Sequence, residues 1–176
     1  MKRKVAELLI ILLFYVLQIT LGRAISIGGI MPNILVILPV VFGYLNGKNE
    51  GMFVGFFAGI FYDLSAASLF GFSALVFVYI GYFAGIFFSR YEGSEMIVPL
   101  IILFGGDFIF EFLSYIGNFL LHNRLNLIYF ITRFIIPEMI YTGIVFVLIY
   151  KLFLWLNPKL ETKNKRRVNN FDERNI

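Results

Sequence analysis

The sequence predicts an all-α integral membrane protein, a six-transmembrane-helix bundle, on three observations. Hydrophobic residues make up 60% of the 176 positions and aromatics 19%. In water, a fold of this size has too little polar surface to cover that composition. The apolar residues gather into six runs, and a helix needs roughly 17–25 such residues to cross about 30 Å of hydrocarbon. The runs also lack the period-two alternation of a barrel strand, and only helices or closed barrels satisfy their own backbone inside lipid.

The spans are expected at about 5–22, 31–45, 51–67, 71–89, 96–121 and 127–156, within a transmembrane domain covering 1–156. A basic polar cytoplasmic tail, 157–176, follows it. The connections are short, so consecutive helices should pack as antiparallel neighbours. The first run is not read as a cleavable signal, because no small-residue cleavage site follows it and five more spans do.

Each span carries its own signal. In the second, Pro32 occupies the first turn with Asn33 beside it, and Pro39 removes an internal hydrogen bond and should kink the helix. The third carries Gly51, Gly55 and Gly59, and the fourth Gly81 and Gly85. Four-residue spacing lines small side chains along one helix face and lets backbones approach closely. These glycines are expected to pack helices within the chain. Asp63 lies near the outer end of the third span, ahead of Gly71, where it could brace the turn or mark a site. In the fifth, Pro99 falls in the first turn, and Asp107 and Glu111 share a face. The sixth carries Arg133, Pro137 and Glu138, and Pro137 should kink it.

Orientation follows from the basic residues. With both termini cytoplasmic, twelve Lys and Arg face the cytoplasm, only Arg23 and Arg124 face outward, and Arg133 lies inside the last span. The net charge of +4 therefore anchors spans and does not point to nucleic acid. The densest group, Lys163, Lys165, Arg166 and Arg167, stands ready to touch anionic lipid headgroups or a cytoplasmic protein.

Ionisable groups at depth are costly and usually face the bundle interior. A rise of about 1.5 Å per residue puts Asp107 near the bilayer centre and Glu111 about 5 Å further out. On the returning helix, Arg133 falls level with Glu111, and Glu138 with Asp107. A Glu111–Arg133 ion pair and an Asp107–Glu138 carboxyl pair are therefore expected. Three carboxyls against one guanidinium do not balance, so at least one of Asp107 and Glu138 should hold a proton. Three readings are open for this group: helix register, a polar face for a partner's transmembrane helix, or a proton or ion relay.

Cysteine is absent, which removes disulfides, thiolate metal sites and cysteine nucleophiles. No HExxH, GxSxG or Walker pattern is present. Neither a cofactor nor a metal is expected, and an enzyme is not the favoured reading.

Four stretches carry a resemblance. They are Pro32-Asn33-Ile-Leu-Val-Ile-Leu; Gly55-Phe-Phe-Ala-Gly59-Ile-Phe-Tyr-Asp63; Gly71-Phe-Ser-Ala-Leu75; and Pro137-Glu138-Met-Ile-Tyr141. In a six-span layout, these resemble the bacterial rod shape-determining protein MreD family over all but the tail. The resemblance implies a non-enzymatic scaffold subunit of the cell-elongation machinery in the cytoplasmic membrane. It also implies MreC as a partner, and through the same assembly MreB, RodA and its transpeptidase. Pro32, Asn33, Gly59, Asp63 and Gly71 match recurrent family positions. Such proteins are similar in fold to the substrate-binding subunits of energy-coupling-factor transporters, so a small-molecule-binding transport subunit is the alternative. The Gly51/Gly55 and Asp107/Glu111 faces are the expected partner surfaces.

Overall fold

The computed structural model describes residues 2–24, 26, 29–66, 70–89, 96–122 and 127–156. The tail, with Lys163, Lys165, Arg166 and Arg167, lies outside the described residues. The described residues are helical throughout their regular elements. Helix α1 is Lys2–Ala24, α2 Ile34–Asn46, α3 Lys48–Ala66 and α4 Phe72–Ile86, with a 3₁₀ turn at Phe87–Ser89. Helix α5 is Ile97–His122. Then α6, Leu127–Phe130, passes through a π-helical turn, Ile131–Ile135, into α7, Ile136–Leu156. Two stretches, Ile97–Gly117 and Ile128–Phe153, are long and apolar enough to cross a membrane.

Helix α2 is the axis of the fold. Every residue from Ile34 to Leu45 is buried, because α1, α3, α4, α5 and α7 all pack against it. A helix that is apolar all round is one buried on every side, and within Ile34–Asn46 only Tyr44 and Asn46 carry polar side-chain atoms. It ends at Gly47, whose φ of +101° suits glycine and turns the chain at once into α3. That corner starts α3 at Lys48, three residues before the apolar run at Gly51.

The α3–α4 interface is the most extensive in the molecule, and glycine makes it so. A methyl group at Gly51 would strike the Gly81 carbonyl, and one at Gly55 the Phe77 carbonyl. At Gly59 it would meet the Ala74 backbone, and at Gly85 the Lys48 backbone. The two backbones touch along most of their length, and dispersion between them replaces the hydrophobic drive that lipid withholds.

The π-helical turn has an identifiable cause. Pro137 carries no N–H for the Arg133 carbonyl, and its ring crowds that oxygen. The preceding turn widens, and the Ile136 N–H reaches back five residues to the Ile131 carbonyl. Just before this turn, Phe130 packs against Tyr115 of α5, with ring centroids 4.6 Å apart.

Candidate functional site

The richest polar constellation sits at the head of α2. Asn33 precedes the helix, and its side-chain oxygen accepts from the Val36 N–H at 3.3 Å, satisfying one of the amides that a helix start leaves open. The Asn33 backbone N–H donates to Thr142 Oγ1 of α7 at 2.9 Å. Its Nδ2 donates to Asp107 Oδ1 of α5 at 3.5 Å. Helix α1 grips the same turn from the other side: Gln18 Nε2 donates to the Pro32 carbonyl at 3.1 Å, and the Ile34 N–H donates to Gln18 Oε1 at 2.8 Å. Pro32, itself without an N–H, leaves the turn one fewer donor to satisfy. One tripeptide thereby joins α1, α2, α5 and α7.

Asn33, Asp107 and Thr142 are buried to 1% exposure or less. Asp107 Oδ2 lies in the same place with no hydrogen-bond partner among the described residues. Glu111 and Glu138 are half-buried and lie within electrostatic reach of Asp107 and of each other. The three carboxyls share no hydrogen bond among the described residues.

Asp63 forms a second buried brace. Its Oδ2 accepts from the Gly71 N–H at 2.7 Å and its Oδ1 from the Ser73 N–H at 3.2 Å. A carboxylate at a helix start meets open amides and the positive end of the helix dipole. Gly71 itself has φ +94°, a left-handed conformation that favours glycine. The Asp63-to-Gly71 spacing is therefore the span of one helix–turn–helix corner. Beneath it, Tyr62, Phe77 and Phe110 form a ring cluster, with centroids 5.1–5.7 Å apart.

At the far end of the bundle, Lys4 of α1 bonds to Glu50 of α3, approaches Glu7 at 3.1 Å and lies over the Phe53 ring. Burial pulls the Lys4 pKa down. The hydrogen bonds and charges of Glu50 and Glu7 outweigh it and hold the group above its ordinary 10.5.

Three expectations need correction. The Glu111–Arg133 ion pair does not form: Arg133 is exposed and makes no ion pair among the described residues. Asp107 and Glu138 stand within electrostatic reach but share no hydrogen bond, and Asp107 Oδ1 accepts from Asn33 instead. Arg133 and Glu138 are five residues apart, about 140° around a helix, so both cannot point inward. The Gly51/Gly55 face and Asp107 are not open partner surfaces either, since α4 covers the glycines and Asp107 is fully buried.

Sequence reasoning missed Gln18, Thr142, Glu7 and the Lys4–Glu50 link. Gln18 had a signal. With Glu7, Ile11 and Phe14 it completes a stripe at helical spacing, and the first three of these are buried. Gly143 was missed too; a methyl there would press into the Phe104 ring of α5.

Comparison with known proteins places this framework. No curated protein and no solved structure matches the chain. The family model for the rod shape-determining protein MreD matches residues 2–159 and so takes in every helix described above. The chain thus belongs to the MreD family, membrane proteins of the machinery that determines rod shape.

Proposed function

We propose that this chain is a non-enzymatic membrane scaffold subunit of the bacterial cell-elongation machinery. It spans the cytoplasmic membrane six times with both termini inside, and it couples peptidoglycan synthesis to MreC and MreB, with RodA and its transpeptidase in the same assembly. The family membership supplies the process. The observation that carries the scaffold reading is the use made of polar groups. Gln18, Asn33, Thr142 and Asp63 tie the chain's own helices and turns together. Such cross-bracing builds a rigid support. The bias of basic residues toward one side supports the topology.

A scaffold in lipid needs a face that admits another helix closely. Helix α5 offers one. Gly105 is exposed with nothing within 4 Å of where a methyl would stand. Ile101, Phe108 and Ile109 surround it and are exposed. A partner's single span can approach the backbone there, gaining dispersion contacts that a larger residue would block. Photo-crosslinkers at Ile101 and Ile109 in cell membranes should capture a second membrane protein of the elongation machinery. Crosslinks confined to this chain would overturn the assignment of that face. Depletion of the chain should round the cells, and unchanged rods would overturn the scaffold reading itself.

A further inference from the structure

The exposed side of α6 and α7 has a pattern that the scaffold reading does not use. Ile136, Ile140, Ile144, Leu148 and Leu152 recur every four residues and are 45–66% exposed. They form one aliphatic ridge along the helix. A cation stands near each end: Arg133 above Ile136, and Lys151 beside Leu152. Both are exposed, and neither makes an ion pair among the described residues.

The spacing is informative. Eighteen residues separate Arg133 from Lys151, about 27 Å at a helical rise of 1.5 Å per residue. The hydrocarbon core of a bilayer is about 30 Å thick. Each side chain carries its charge several ångströms beyond its Cα along an apolar stem, so the two charges bracket that thickness. A partner helix packing on this ridge would favour small residues at the crossing, but the ridge holds only branched aliphatics. A guanidinium left unpaired on a lipid-facing surface is met most directly by phosphate, which its planar fork binds in bidentate fashion.

We propose that the α6–α7 ridge is a lipid-facing surface, with Arg133 and Lys151 binding lipid headgroup phosphates in opposite leaflets. Arg133 is then a depth gauge for the molecule. It sets the hydrocarbon boundary near the π-helical turn and leaves Leu127–Phe130 at headgroup level. The Asn33–Asp107–Thr142 hub then falls about midway between the two charges, since Thr142 stands nine residues from each, close to the bilayer centre expected for Asp107 from the sequence.

Retention of phosphatidylglycerol and phosphatidylcholine by the full chain, counted by native mass spectrometry from mixed micelles, tests this. Arg133→Gln and Lys151→Gln should each weaken retention of both lipids, by about fivefold for phosphatidylglycerol. Arg133→Lys should restore most of it. Loss confined to phosphatidylglycerol would show that the site reads net headgroup charge and would overturn the phosphate assignment; unchanged retention would overturn the site. A photo-crosslinker at Ile144, with both cations intact, gives a second test that does not depend on a charge variant folding. It should label lipid. A protein adduct there would overturn the proposal by showing that a partner covers the ridge.

Discussion

Asn33 shows how much one side chain can hold. It caps its own helix and donates to a carboxylate on α5. Asn33→Ala strands the Val36 N–H and leaves Asp107 without its amide partner, a cost of about 1–3 kcal/mol for the buried groups left unmade. Thermal unfolding in detergent should show that loss. Pairing Asn33→Ala with Asp107→Leu should return part of it, since an unpartnered carboxyl is then removed as well. At the other corner, Asp63→Ala should cost about 1–2 kcal/mol, and Asp63→Asn less, because the amide oxygen still accepts one N–H. The sequence made Asn33, Asp63 and Asp107 visible as polar residues in apolar runs. Their partners were not visible, because three of the four amides involved belong to the backbone. Arg133 was misplaced for a different reason. Helical rise gives depth, but the partner of a group also depends on its angle around the helix, and the inward face of α7 is set by Thr142, Phe146 and Tyr150.

At the scale of helices, the glycine pattern reported its own use. Repeats of four in α3 and α4 announced a close crossing, and the structure shows which backbone atoms fill it. Gly81→Ala should destabilise the α3–α4 pair by about 1–3 kcal/mol, since rigid backbone must move to admit the methyl. Gly105→Ala meets nothing and should raise the stability of the isolated chain by up to about 1 kcal/mol through helix propensity. The same change should weaken partner capture at the α5 face. That opposition between stability and binding separates a packing glycine from a docking glycine. What periodicity could not show was that α2 is buried on every side, because lipid and protein interior accept the same apolar residues. The Lys4 link between α1 and α3 makes a pH prediction. Its folded pKa lies above 10.5, so its contribution is complete below that pH and is lost as pH rises through the folded value. NMR titration of the lysine ammonium groups should find Lys4 above the ordinary lysine range, and Glu50→Gln should bring it down.

For the whole molecule, composition and charge bias made the membrane class and the proposed orientation legible without any motif, while the order of packing around α2 was not. The shortest of the long helices, α2 with 13 residues, is enclosed on every side, whereas α4 with 15 packs on it by one face and leaves Leu75, Tyr79 and Phe83 exposed; α5 has 26 residues and α7 21. Asn33 and the Gly47 corner tie the two ends of α2, and Asp63 ties the start of α4. Such a body has much surface to offer, as the proposed scaffold role requires. The most direct test is affinity purification of the full chain from cell membranes in mild detergent, with the co-purifying proteins identified. The account predicts MreC and the wall-synthesis enzymes in the eluate, reduced when Gly105 is enlarged. Recovery of a paired ATPase module in their place would contradict it.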